Sequence, residues 1–423
     1  MLDRSKPPLI KVIDQLNLPK PEKHQLDNGI PVYEVNLGTQ QVVKVEFIFS
    51  AGRPFEDKRL ASRATLGLLK EGTKNHSAEA IAEQLDFYGS SLSFPFNLDT
   101  SNIILYSLNR HLEKSLAVVA ELLLAPQFPE QELSNFIKRN QQQLQLDLAK
   151  NDVVAYRTIT EQLFGADHPY GYNSLPETYA TLERTDLIKH FQKCYNAANC
   201  VIFISGLTNP NMIKLLNQYL GQMPLGKPLK AQVPSAVPQV EKKTVLSIPD
   251  SIQTAIRLGR PLFGRTHADY KKMYVLNTIL GGYFGSRLMA NIREEKGYTY
   301  NIYSIMDVMR YDGCLYIGAE VGNDFVAATL EEMYLEIERL QNELVGPKEM
   351  DMVRNYLLGN FLSMLDGPFN VSEIIKTIVM EQLSWSYFDE LVETIKTIRP
   401  QDILELAQQY LQRDQLWELV VGQ

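Results

Sequence analysis

Gly281-Gly282-Tyr283-Phe284-Gly285-Ser286-Arg287-Leu288 leads, three residues on, into Ile292-Arg293-Glu294-Glu295-Lys296-Gly297-Tyr298-Thr299-Tyr300. A glycine turn feeds a helix over 285–295, and the aromatic, β-branched run after Gly297 opens a strand over 300–307. The glycines are not a phosphate cradle, because the Lys-Ser/Thr of a P-loop is missing. Upstream lie a strand over 254–258, the string Gly259-Arg260-Pro261 and a helix over 267–280. Downstream come a strand over 314–320 and two long helices, 325–342 and 347–365.

The first half of the chain has the same grammar. Asp27-Asn28-Gly29 marks a hairpin before a strand over 32–35, and a second strand covers 42–49. Gly52-Arg53-Pro54 echoes Gly259-Arg260-Pro261. Helices follow over 59–71 and from Ser77, a residue suited to cap a helix N-terminus. Then come strands over 90–96 and 102–108 and two further helices, the second spanning 129–150. Between Met223 and Val245, prolines 224, 228, 234 and 238 interrupt any periodicity, which reads as an extended linker. The expectation is an α+β fold of two homologous halves, each a mainly antiparallel sheet backed by helices. The divisions expected are 1–222, a linker at 223–245, and 246–423.

With 423 residues and 45% hydrophobic content the chain has enough apolar mass for such cores. Its formal charge of -8 argues against nucleic acid or an anionic membrane as partner. The three cysteines, Cys194, Cys200 and Cys314, form neither a zinc knuckle nor an even disulfide set, which favours a reduced compartment. The first 15 residues lack the continuous apolar core of a signal peptide, and no stretch reaches the ~20 apolar residues of a membrane helix. The expected location is cytoplasmic.

Several strings resemble the pitrilysin / mitochondrial-processing-peptidase-like (inverzincin) zinc peptidase family. They are Asn28-Gly29 before a strand, Phe49-Ser50-Ala51-Gly52-Arg53, Glu71-Gly72-Thr73 and His168-Pro169-Tyr170-Gly171. The strongest match is the glycine loop with Ser286-Arg287-Leu288 and Arg293 to Tyr300. The resemblance spans nearly the whole chain and keeps the motif order.

Active members carry His-x-x-Glu-His on a helix, which sets two imidazoles on one face for zinc and a carboxylate beside them as base. Counting back from Glu71-Gly72-Thr73, this chain has Arg63-Ala64-Thr65-Leu66-Gly67 there. Arg63 and Gly67 replace the histidines and Leu66 replaces the base. The third ligand falls near Gln142 or Gln143, both amides. A guanidinium is not a metal ligand, and Gly has no side chain. No two of the six histidines lie within five residues of each other. His76-Ser77-Ala78-Glu79 is only a fragment of the motif, and His24, His111, His168, His190 and His267 are isolated. No metal ligands are therefore assigned to this chain, and no cofactor of its own.

In two-part enzymes of the family, the half without zinc supplies an Arg and a Tyr that hold the substrate backbone. The resemblance places that role on Arg293 and Tyr300, seven residues apart, with Arg287 as a weaker choice. An Arg fork grips a peptide carbonyl, and a Tyr hydroxyl can donate to a developing oxyanion. Read from residues alone, Arg293 is equally a helix-end group paired with Glu294 or Glu320, and Tyr300 ordinary strand core. The implied function is the non-catalytic, substrate-binding subunit of a heterodimeric zinc metallopeptidase. Zinc would sit on a homologous His-x-x-Glu-His partner, with peptides or unfolded polypeptides as substrate. The alternative is a structural or peptide-binding homodimer of the same fold.

Overall fold

The computed structural model describes residue 13 and residues 15–422; the expectation about a leader segment falls almost entirely outside them. The first half runs β1 (Glu22–Gln25), β2 (Pro31–Asn36), β3 (Val42–Phe49), α1 (Ala61–Leu68), α2 (Ala78–Phe87), β4 (Ser91–Ser93) and β5 (Ser101–Leu108). It continues through α3 (Leu112–Leu124), α4 (Glu130–Leu148), α5 (Asn151–Phe164), α6 (Pro176–Ala180), α7 (Arg184–Cys194), β6 (Cys200–Gly206) and α8 (Pro210–Leu220). The second half runs β7 (Lys243–Ser247), β8 (Gln253–Leu262), α9 (Tyr270–Asn277), β9 (Thr299–Val308) and β10 (Gly313–Gly322). It ends with α10 (Val326–Asn342), α11 (Pro347–Met364), α12 (Pro368–Met380), α13 (Tyr387–Thr397), α14 (Pro400–Tyr410) and β11 (Trp417–Gly422).

The two sheets share one topology. The first is ordered β1-β2-β6-β3-β5-β4 and the second β7-β11-β8-β10-β9. Apart from β1, the strands correspond one to one, including a single parallel pair in each: β2 with β6, and β7 with β11. All other pairings are antiparallel. Each half has its own core. One gathers Val43, Val45 and Phe47 of β3 with Leu116 and Val119 of α3, and the other Ile256 and Leu258 of β8 with Met333 and Ile337 of α10.

The halves are locked by an exchange of helices. α5, from the first half, lays Ala155, Ile159 and Leu163 on the second sheet against Ala255, Tyr316 and Leu419. α12, from the second half, lays Val371 and Ile375 on the first sheet against Val35, Ile48 and Phe203. Both exchanges carry buried charge, each balanced across the seam. Lys44 of β3 pairs with Glu373 of α12 and lies 2.9 Å from Glu46, which Lys376 of α12 also reaches at 2.9 Å. Arg257 of β8 pairs with Asp152 of α5. A charge taken out of water needs such a partner, so these pairs fix how the halves register on one another.

One echo proves only lexical. Gly52-Arg53-Pro54 leaves β3 and begins a short 3-10 turn over Arg53–Phe55, whereas Gly259-Arg260-Pro261 stays inside β8. β11 runs alongside β8 only as far as Gly259, so Pro261 has a ladder neighbour on one side alone and its missing N–H is tolerated. The helices expected over 267–280 and 285–295 also differ. α9 ends at Asn277 and continues as a π-helical stretch over Thr278–Gly282, and a second π-helical stretch covers Met289–Glu295. The strand expected over 90–96 is reduced to Ser91–Ser93.

Candidate substrate-gripping site

The place where zinc would bind is built for packing. Arg63 points outward over the ring of Phe96, its guanidinium carbon 5.5 Å from the ring centroid. Leu66 is buried in the first core. A Cβ on Gly67 would stand 2.9 Å from the Phe136 ring of α4, so that aromatic occupies the space a second imidazole needs. Gln142 and Gln143 lie on the exposed side of α4, and Gln143 hydrogen-bonds Asp147 at 3.1 Å. These residues do not fit a zinc ion in charge, donor set or room.

The helix is held rigidly from behind. Thr65 Oγ1 donates to the Leu187 carbonyl of α7 at 3.4 Å, and His190 Nε2 lies 3.0 Å from the Ala51 carbonyl in the loop feeding α1. Burial pushes the His190 imidazole pKa down to about 4. The other histidines in the expected motif strings are also structural. His76 Nδ1 faces the Glu121 carboxylate at 2.9 Å, and His168 accepts from the Tyr170 N–H at 3.1 Å and stacks on Phe164.

In the second half the same region keeps exposed chemistry. Arg293 closes the π-helical stretch Met289–Glu295, and Tyr300 is the second residue of β9, the outermost strand of its sheet. Between them Gly297 turns at φ +67°, a conformation glycine adopts without strain. Gly281 is needed for a different reason: a Cβ there would meet the backbone nitrogen of Ser304 at 2.5 Å, so only glycine lets the loop lie on β9.

The Arg293 guanidinium is flanked by two rings, its carbon 4.6 Å from the Phe284 centroid and 5.2 Å from the Tyr300 centroid. Tyr300 is 87% exposed and Phe284 59%. Among the described residues no carboxylate pairs with Arg293 and nothing hydrogen-bonds it. Neither the expected pairing of Arg293 with Glu294 or Glu320 nor a core place for Tyr300 is found. Arg287, the weaker choice, is tied to Glu349 of α11 by two bonds, Nε–Oε1 at 2.8 Å and Nη2–Oε2 at 2.9 Å. That fork commits the Nε edge of the guanidinium to bracing the glycine loop.

The platform under Arg293 is stiff. Asn291 donates to Glu332 at 2.9 Å and to buried Glu336 at 2.6 Å, and Lys296 pairs with Glu332 at 2.9 Å. Tyr298 stacks on Phe325 at 5.0 Å. Phe284 is the member of this cluster that sequence reasoning missed; its only signal was an aromatic within the glycine loop.

Residues 181–357 match the family described as "Peptidase M16 inactive domain". The chain is 22% identical over 406 residues to the "Uncharacterized zinc protease YmxG" of Bacillus subtilis, covering 94% of this chain and 98% of that one. It is 26% identical over 327 residues to the "Non-peptidase homolog YmxG" of Helicobacter pylori, covering 75% and 74% respectively. The likeness to the M16 inactive domain thus covers residues 181–357, and along most of its length the chain is similar to zinc-protease homologues. Over 219 residues it is also 26% identical to the "Mitochondrial-processing peptidase subunit alpha-1" of Dictyostelium discoideum, covering 48% of this chain and 32% of that one. The crystal structure of a peptidase M16 inactive domain from Pseudomonas fluorescens superposes with a TM-score of 0.87 at 22% identity, over 95% of this chain and 98% of that one. The fold of two similar halves seen in that crystal structure is therefore the fold of this chain, and its α1 is a packing element.

Proposed function

We propose that this chain is the non-catalytic, substrate-binding subunit of a zinc metallopeptidase whose metal is carried by a homologous partner bearing His-x-x-Glu-His. The observation that carries the reading is the unpaired Arg293 guanidinium, held between Phe284 and Tyr300 at the exposed end of the edge strand β9. An arginine left without a carboxylate, on a braced platform, is a group in want of a ligand. An extended peptide added along β9 would meet unpaired backbone groups, and its carbonyls would lie within reach of Arg293 and the Tyr300 hydroxyl. This binding mode is indifferent to side chains, which suits peptides and unfolded polypeptides. The resemblance of part of the chain to a protein named as a processing-peptidase subunit supports the pairing. The catalytic zinc stays with the partner in this reading, and α1 of this chain supplies no ligand to it. The proposed setting is the cytoplasm; no helix among the described residues is long and apolar enough to cross a membrane.

The name "Non-peptidase homolog" borne by the Helicobacter pylori relative favours a second reading, a homodimer that binds peptides without cutting them. One experiment separates the two. The chain is co-purified from its native cell, its companion is identified by mass, and peptide cleavage by the assembly is measured. A companion with His-x-x-Glu-His and turnover that drops ~100-fold in Tyr300→Phe, on the scale of losing one oxyanion donor, supports the subunit reading. Wild-type turnover in both Tyr300→Phe and Arg293→Ala defeats it, and a companion that is only another copy of the chain supports the homodimer.

A further inference from the structure

We infer that Glu22, His24 and Glu34 form a divalent-cation site of the zinc class that clasps the N-terminal strand to the first sheet. The three residues come from the β1–β2 hairpin. Glu22 stands directly opposite Glu34 in the antiparallel register, and His24, two residues on, shares their face. His24 Nε2 lies 2.6 Å from Glu34 Oε2 and 3.7 Å from Glu22 Oε1. One donor atom from each residue falls within 4.8 Å of the others, the one group of three such residues among the described residues.

The chemistry of the three fits a metal better than it fits a simple ion pair. Two carboxylates placed directly across a strand pair repel each other, and one imidazole between them cannot satisfy both as well as a dication does. The Glu34 side chain is only 8% exposed, and its second oxygen accepts from the Thr208 hydroxyl. A ligating carboxylate oriented by an outer hydrogen bond is the usual arrangement around a metal. One imidazole nitrogen with two carboxylate oxygens suits zinc, cobalt or nickel rather than calcium or magnesium. Ligand atoms around such an ion stand roughly 3.3 Å apart at bond lengths near 2.1 Å, so the present separations need only small side-chain adjustments. Water would complete the shell on the side of exposed Glu22.

A second observation says why the fold has use for such a clasp. β1 is Glu22-Lys23-His24-Gln25, without one apolar side chain to bury. It is the one strand of the first sheet with no counterpart in the second. Among the described residues its backbone ladder, the Lys23 contact with the Tyr33 ring at 5.8 Å, the Gln25 side-chain bond to the Gly29 carbonyl at 3.2 Å and the His24–Glu34 contact fasten it. A bound cation would join both strands of the hairpin through three side chains.

The test uses the full chain, stripped with a chelator and titrated with Co²⁺ and then Zn²⁺, with cobalt absorption and calorimetry as readouts. The expected result is one site per chain, weakened at least ~100-fold in His24→Ala, since even the loss of an outer partner typically costs ~10–100-fold. Glu22→Gln, at an exposed position, is expected to weaken binding while leaving the fold intact, and Thr208→Val to weaken it through Glu34. Amide exchange of residues 22–25 should slow when metal is added. Absence of a stoichiometric site, or binding unchanged in both His24→Ala and Glu22→Gln, overturns the inference and leaves His24 as a hydrogen-bond partner of Glu34.

Discussion

The stretch between β3 and β4 has its counterpart between β8 and β9, and the two have gone opposite ways. In the first half, α1 turns its would-be catalytic positions to packing: Leu66 enters the core, Gly67 sits under Phe136, and Arg63 lies on Phe96. In the second half the glycine loop and the π-helical stretch keep Phe284, Arg293 and Tyr300 at the surface, with the guanidinium uncommitted. A fold pays no stability for a group that touches only solvent and its own neighbours, so the exposed cluster asks for an explanation outside the fold. The packed copy needs none. π-helical turns strain the regular ladder and recur at functional sites, and here both lie in the half that keeps its polar groups free.

The sharpest way to break the contrast is to rebuild the motif in α1. Leu66→Glu places a carboxylate in a dry core, and the lost packing together with the desolvation should cost roughly 4 kcal/mol or more. Gly67→His adds the clash with Phe136. The triple variant Arg63→His, Leu66→Glu, Gly67→His is expected to unfold at much lower denaturant and to gain no zinc at α1. Retention of wild-type stability with one added zinc per chain would show that the site is only masked and that the packing argument is wrong.

A smaller effect should appear in acid. His190 anchors the loop that leads into α1, and its folded-state pKa is about 4 against an ordinary 6.5, chiefly through burial. The unfolded chain therefore takes up this proton first as pH falls, and the folded state resists it. The group's contribution is fully present above pH 6.5 and is lost progressively down to about pH 4, amounting to about 3 kcal/mol. His190→Gln keeps a donor toward the Ala51 carbonyl but cannot titrate. Denaturation between pH 7 and 4 should show a shallower decline in this variant; identical slopes would place the acid sensitivity elsewhere.

Much of this was legible because it is local or repeated. The two-halved α+β fold follows from two runs of the same pattern. The exchange of α5 and α12 between halves was not legible. The apolar residues Ala155, Ile159 and Leu163 mark a buried face but do not say which sheet it meets, and the partners that let Lys44 and Arg257 be buried lie 329 and 105 residues away. Pro261 misled for the same reason: whether a strand tolerates proline depends on how far its neighbour extends. Arg293 and Tyr300 could be named from the resemblance, but only three dimensions show the guanidinium unpaired and add Phe284 on its other side.

The smallest expected effect on stability is also the most telling for function. Tyr300→Phe keeps the ring beside the Arg293 guanidinium and removes only a hydroxyl that the described residues leave in solvent, so folding stability should change by less than ~0.5 kcal/mol. Arg293→Ala removes contacts with two exposed rings, each worth about 0.5–1 kcal/mol at most in such a setting, and should remain a mild change. Arg293→Lys keeps the charge but loses the planar fork, so an extended peptide that uses two donors should bind more weakly to it than to the wild type. Thermal unfolding alongside peptide titration would separate the roles. Little change in unfolding with weakened peptide binding marks residues maintained for a ligand. A stability loss above ~2 kcal/mol in Arg293→Ala would mean that the second copy, like the first, has turned its polar groups to holding the fold.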